Sequence, residues 1–442
     1  MTTAKSIKPK ERDAILQSLR AGVVPRLGIQ HLQVGRTQEI QSLIEDITRI
    51  GGGGSGIRFI IGQYGSGKTF FLQLVRNIAL EKALVTAHAD LNPQRRLNAS
   101  GGEARSLYAE LMRNISTRTK PDGGALPSIV ERFISTAMVE SRDTGATTES
   151  IINSRLQQLT EMVGGFDFAS VINKYWVGHD SGNEQLKSDA IRWLRAEFTT
   201  KTDARMALGV RTIVDDDNVY DMLKLMSTFT KLSGYGGLMI GLDEMVNLYK
   251  IGNTKSRTAN YEQILRYLND SLQGISAGLL FLMCGTPEFL MDTRKGLYSY
   301  EALQSRLTEN SFARSANVID YSAPVIRLAN LSPEDMYILL KNVLSVFYGV
   351  PDMKSQFPEE GIKNFMEHCS KKIGDAYFRT PRNTVKAFVD LLFVIEQHPH
   401  IELESLIGQI SIDTDNAGAL DLEPKDSESD TVEVDELATL KI

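Results

Sequence analysis

Between residues 57 and 69 the chain sets a lysine and a hydroxyl directly behind a glycine-rich turn, a combination that can hold a triphosphate. Gly62, Gln63, Tyr64, Gly65, Ser66 and Gly67 lead into Lys68, Thr69 and Phe70, which fits the Walker A pattern G-x-x-x-x-G-K-[ST]. Glycines reach positive φ, so backbone N–H groups can turn inward as a nest for the β-phosphate at a helix N-terminus. Lys68 then reaches the β and γ oxygens, and the Thr69 hydroxyl ligates Mg2+. The apolar run from Ile57 to Ile61 and the helical pattern Phe71, Leu72, Val75, Ile78 and Ala79 supply the strand and helix that the pattern needs. ATP with Mg2+ is the expected ligand, cradled by Gly62 through Phe70.

A second constellation lies far along the chain, where the apolar run from Leu238 to Leu242 ends in Asp243 and Glu244, a Walker B shape. A strand buried on both faces carries its last residues to the carboxyl edge of a parallel sheet. Asp243 is therefore expected to share Mg2+ with Thr69, and Glu244 to orient or deprotonate the attacking water. Adjacent carboxylates suit water activation better than an acceptor pocket, which disfavours a small-molecule kinase. Thr286 closes the next apolar run and reads either as a sensor of the γ-phosphate or as a turn-starter before Pro287. Arg306, with Arg257 and Arg314 as rivals, reads either as a finger completing a neighbouring subunit's site or as a surface ion-pair residue. Arg382, at the start of a late helix, reads as a γ-phosphate contact from a lid or as a structural arginine.

The elements that must position these residues follow from the apolar pattern. Runs at 57–61, 83–89, 238–242, 278–285 and 324–328 read as strands of an α/β P-loop NTPase of the additional-strand (AAA+) type, with a five-stranded parallel sheet of order 5-1-4-3-2. Residues 1–56 read as a helical lead-in. It contains an amphipathic stretch from Arg12 to Arg20, a Gly35-Arg36 turn that opens a helix through Leu43 and Ile47, and a flexible glycine linker from Gly51 to Gly56. The ATPase core covers 57–330. Within it a helical insertion at about 95–220 shows helical periodicity at 107–115, 129–139, 151–163 and 190–198 and is expected to carry partner specificity. A helical lid, 331–412, starts with Ser332 as N-cap and Pro333 behind it.

Charge separates the last segment from the rest. Residues 413–442 hold ten acids against Lys425 and Lys441, a net of −8, so a chain of net charge −6 leaves a body of +2. Such an acidic, aromatic-poor tail reads as a solvating disordered segment. No apolar run approaches the roughly 18 residues of a membrane span, and no apolar segment follows the basic N-terminus. With two well-separated cysteines, a reduced cytoplasmic location is expected. The six histidines lack ligand spacing, and no structural metal is expected.

With these residues assigned, the chain from Leu16 to Leu392 resembles the BrxD-like ATP-binding proteins of bacteriophage-exclusion (BREX) defence systems. The resemblance is carried by Ala14 to Pro25, Gly62 to Phe71, Ser233 to Glu244 and Tyr377 to Arg382. The chain is more distantly similar to origin-recognition and transposon-type AAA+ ATPases, in which the segment around Gly35-Arg36 walls the adenine. The resemblance implies a homo-oligomeric ATPase acting with defence partners, among them a helicase and a methyltransferase, on double-stranded DNA without sequence preference. The competing reading is a nucleotide-dependent switch or adaptor with negligible hydrolysis. Origin-recognition relatives carry a winged helix after the lid, and here the acidic tail stands in its place, so any DNA contact would fall to the backbone through the insertion.

Overall fold

The sheet is built from β1 (Gly56–Gly62), β2 (Val85–Asp90), β3 (Leu238–Asp243), β4 (Leu279–Gly285) and β5 (Val325–Leu328). All its pairings are parallel and the strand order is β2-β3-β4-β1-β5, the expected order read from the other edge. β1, β3 and β4 are buried along their whole length, as continuous apolar runs covered on both faces must be. The edge strands β2 and β5 alternate with more exposed positions. This arrangement, a P-loop NTPase fold, is described here from a computed structural model for residues 7–349, 357–373 and 381–409. The acidic tail from Asp413 and residues 377–380 lie outside the described residues.

Ahead of the sheet stand α1 (Pro9–Arg20), a short 3-10 turn (Ile29–Leu32) and α2 (Thr37–Gly51), and α3 (Lys68–Glu81) follows β1. Between β2 and β3 the insertion supplies α4 (Glu103–Arg113), α5 (Leu126–Thr144), α6 (Thr148–Thr160), α7 (Gly165–Ser181), α8 (Glu184–Leu194), α9 (Lys201–Leu208) and α10 (Val219–Leu232). After β3 come α11 (Val246–Tyr249) and α12 (Thr254–Leu272), and after β4 come α13 (Pro287–Met291), α14 (Glu301–Leu307) and α15 (Ser311–Ser315). Beyond β5 the chain is helical in α16 (Pro333–Tyr348), α17 (Glu359–Ile373), α18 (Pro381–Gln397) and α19 (Leu403–Gln409). Among the described residues no helix is long and apolar enough to cross a membrane.

Three apolar clusters hold these layers. The largest joins one face of the sheet to the insertion, with Phe133, Phe168, Trp193 and Phe229 at its centre. A second packs α2 and α3 on the other face through Leu43, Ile47, Phe71 and Val75. The third unites α1 with α16 to α19, so the first helix of the chain belongs to the same packed body as the last ones.

Two expectations change on seeing the packing. The run from Gly51 to Gly56 ends α2 and turns into β1 with its last residues closely packed, and is not a loose tether. Gly54 accepts a 2.7 Å bond from the Gly278 N–H, and a Cβ at Gly56 would stand 2.9 Å from Leu280. The glycines there admit a tight helix-to-strand passage. The insertion also contains α7 and α9, absent from the sequence reading. Gly164 and Gly165 look like a terminator, whereas Gly164 caps the start of α7 in the left-handed region, and Gly178 inside α7 lets α8 approach.

Candidate functional site

The polar residues singled out by sequence converge at the carboxyl edge of the sheet. β1 ends at Gly62, where a Cβ would collide with the Ser66 hydroxyl, so only glycine fits. Gly65 and Gly67 take φ of 79° and 82°, and Gly67 caps α3. The loop therefore returns sharply and starts α3 at Lys68, pointing the helix's free N–H groups into the turn.

Lys68 donates 2.9 Å bonds to the carbonyls of Gly62 and Gln63, both in its own loop. Burial depresses its pKa, opposed by the charges of Asp243 and Glu244. The Thr69 hydroxyl donates 2.7 Å to the Asp243 carboxylate, which is 4% exposed. Asp243 also receives the N–H of Glu244 at 2.8 Å. Glu244 itself sits at φ 56°, a left-handed conformation that a glutamate enters only when its surroundings impose it. Burial first, and then the Asp243 charge, raises the Glu244 pKa. Tyr64 is exposed at the loop's tip, and Phe70 packs against the third cluster, on the side of α16 to α19.

Two residues join this site that the sequence reading did not assign to it. Asp90, the last residue of β2, pairs in register with Asp243, and burial together with the Asp243 charge raises its pKa. The predicted strand order already placed β2 beside β3, so matching the strand ends would have found it. Arg36, whose segment the resemblance places beside the adenine and not at the phosphates, donates to the Ser66 carbonyl in the middle of the glycine-rich loop.

The remaining expected residues lie elsewhere or hold other partners. Thr286 follows β4 and caps α13, its hydroxyl accepting from the Phe289 N–H at 3.4 Å. Arg306 is exposed on α14 and bonds the Ala302 carbonyl of its own helix at 2.8 Å. Arg314 pairs with Glu309 at 3.6 Å. Arg257 is 7% exposed and donates 2.7 Å to the Ile251 carbonyl. Its guanidinium is thereby engaged within its own α11–α12 segment, whereas Arg306 and Arg314 are exposed. Arg382 is exposed at the start of α18, its stem lying against Gly22. Among the described residues no hydrogen bond or ion pair joins Arg306 or Arg382 to the loop.

The donor set at the edge suits a hard divalent cation beside a phosphate. Thr69 and Asp243 offer a hydroxyl and a carboxylate already in contact, both oxygen donors of the kind Mg2+ takes. The Ser66 hydroxyl is buried without a partner, in a loop whose glycines leave room for an anion. Among the described residues no cluster of three or more His, Cys, Asp or Glu is arranged for a transition-metal site.

The family model described as BREX system ATP-binding protein BrxC/D matches residues 7–411. No curated protein matches the chain.

Proposed function

Because the chain belongs to the family of BREX system ATP-binding proteins BrxC/D, we propose that it hydrolyses ATP and couples turnover to assembly or remodelling on double-stranded DNA, or on a DNA-bound partner such as a helicase. The observation that carries the reading is the contact between Thr69 and Asp243, with Glu244 strained beside it, at the open end of a glycine-rich loop.

In this reading the N–H groups of Gly62 through Phe70 and the Lys68 ammonium bind the phosphates, Lys68 exchanging its loop carbonyls for phosphate oxygens. Thr69 and Asp243 would hold Mg2+, which when bound neutralises charge on the β and γ phosphates. Glu244 orients the attacking water and accepts its proton. Its raised pKa brings it nearer the working pH, where a general base is most effective. Thr286 and Arg382 sense the γ-phosphate, and an arginine from a neighbouring copy, Arg306 or Arg314, completes the charge stabilisation. The protein then acts as a cytoplasmic homo-oligomer.

Steady-state ATP turnover against protein concentration, with and without double- and single-stranded DNA and beside Glu244→Gln, tests the reading. Turnover that rises faster than linearly, increases with DNA and disappears in the Gln variant is expected. Tight ATP binding with negligible turnover in every condition would instead leave a nucleotide-gated adaptor.

A further inference from the structure

The body formed by α1 and α16 to α19 is built from both ends of the described chain, and its two connections to the sheet cross at one side chain. Ile15, Leu16 and Leu32 pack among Met336, Leu340, Phe347 and Phe388. Arg12 donates 2.8 Å to the Phe347 carbonyl, and Arg20 pairs with Asp390 at 3.0 Å. The chain leaves this body for the core at Gln33 to Arg36 and returns to it at Ala329 to Ser332.

Arg36 stands where these crossings meet the glycine-rich loop. Its backbone is left-handed, φ 58°, and its guanidinium donates to the Ser66 carbonyl and, at 3.4 Å, to the Ala329 carbonyl. It lies 6.0 Å over the Phe71 ring at the base of α3. On the helical side, a Cβ at the preceding Gly35 would meet the Asp335 carboxylate at 3.2 Å, and Asp335 closes the capping box that starts α16. The contact to Ser66 has a consequence fixed by peptide geometry. In a planar trans peptide the C=O and the following N–H point in opposite directions. Holding the Ser66 carbonyl outward therefore turns the Gly67 N–H toward the interior of the loop, where an anion would sit.

We propose that Arg36 is a positioning residue that sets the Ser66–Gly67 peptide for phosphate and transmits occupancy of the loop to the helical body through the Ala329 and Asp335 crossing. The proposal rests on the ATP-binding reading above. A phosphate that draws on the Gly67 N–H acts on the same peptide that Arg36 grips. Any rotation of that peptide changes the grip at a place where the helical body meets the loop.

The test uses the full chain with dyes on cysteines introduced at exposed Gln273 and Gln397, since native Cys284 and Cys369 are buried. ATP affinity is measured first, then the distance between dyes at saturating ATP, in the wild type, Arg36→Asn and Arg36→Lys. Asparagine tolerates the left-handed backbone while removing the guanidinium, and lysine keeps a charge without the fork. Expected results are a distance shift in the wild type, ATP binding about tenfold weaker in Arg36→Asn with no shift at saturation, and intermediate behaviour in Arg36→Lys. A full wild-type shift in Arg36→Asn, or no shift in the wild type, overturns the proposal. Should Arg36→Asn fail to fold, wild-type affinity and a full shift in Arg36→Lys overturn it as well. A wild type that binds no ATP fails at the affinity measurement, which overturns the ATP-binding reading and this proposal together.

Discussion

The helical insertion and the carboxyl edge of the sheet both gather acidic side chains, and they use them in opposite ways. In the insertion, Asp167 accepts from the N–H groups of Arg211 and Thr212 and from the Thr212 hydroxyl, at 3.2, 2.8 and 2.6 Å. Asp216 receives the N–H groups of Gly102 and Arg105 at the start of α4. Asn260 of α12 accepts from Leu97 and Asn98 and donates to Asn98 and Ser256, which pins the start of the insertion to the core. Most of these partners are backbone groups that would be orphaned if the side chain turned away. At the sheet edge, by contrast, Lys68 holds carbonyls of its own loop, Thr69 holds Asp243, and Asp90, Asp243 and Glu244 crowd one another. Those partners can be exchanged for ligand oxygens, and the crowding is relieved by a cation. Replaceable partners, like-charge crowding and a left-handed glutamate together distinguish a site from a brace.

The contrast breaks most visibly through Glu244→Gln. Turnover is expected to fall about 1,000-fold, the scale of a lost general base. The thermal midpoint without nucleotide should stay level or rise, because a crowded charge is removed. A Gln variant that melts well below the wild type would place Glu244 among the braces. The counterpart is Asp167→Ala, expected to lower stability by about 3 kcal/mol by orphaning buried N–H groups. Its turnover per folded molecule should be unchanged, as denaturant titration beside an active-fraction assay would read.

Much of this contrast was legible in the sequence, and the illegible part has physical causes. The five strands, the glycine-rich loop and the Asp243-Glu244 pair follow from local patterns, continuous apolar runs and glycines and a lysine at fixed spacing, while the strand order followed from the P-loop ATPase type that those motifs mark. The braces escaped notice because most of their partners lie 44 or more residues away in sequence, as Arg211 and Thr212 do from Asp167, and no period marks them. Arg58 is a similar case. Inside an apolar strand it is 6% exposed, paired with Asp46 at 2.6 Å and bonded to carbonyls of the segment entering β5. The arginines assigned by position after a strand or helix were the least legible, because position along an element does not fix where a long side chain finds its partner. Arg257 turned inward, while Arg36 turned toward the loop.

A smaller effect follows from the raised pKa of Glu244. A carboxyl that binds its proton more tightly in the folded state penalises folding above that raised pKa. The penalty fades as pH falls through it toward the ordinary value of 4.5. Without nucleotide or Mg2+, Glu244→Gln should therefore be more stable than the wild type at pH 8, and the two melting curves should converge as pH falls. A gap that stays constant with pH would mean that charge crowding does not distinguish this edge.

The smallest effect belongs to Thr286, which lies between the two kinds of residue. Its hydroxyl caps α13 through a long bond, 3.4 Å to the Phe289 N–H, and so has a structural partner. Yet β4 ends beside β1, with Gly285 in register with Ile61, one residue from the start of the glycine-rich loop. Loss of the cap in Thr286→Ala should cost about 1 kcal/mol. If the hydroxyl also meets the γ-phosphate, turnover should fall roughly tenfold through a lost bond to a charged group, with ATP affinity little changed. Thr286→Ser keeps both the cap and the hydroxyl and should restore both quantities. Equal stability loss with undiminished turnover in the alanine variant would make Thr286 a brace and move the boundary of the site to Glu244.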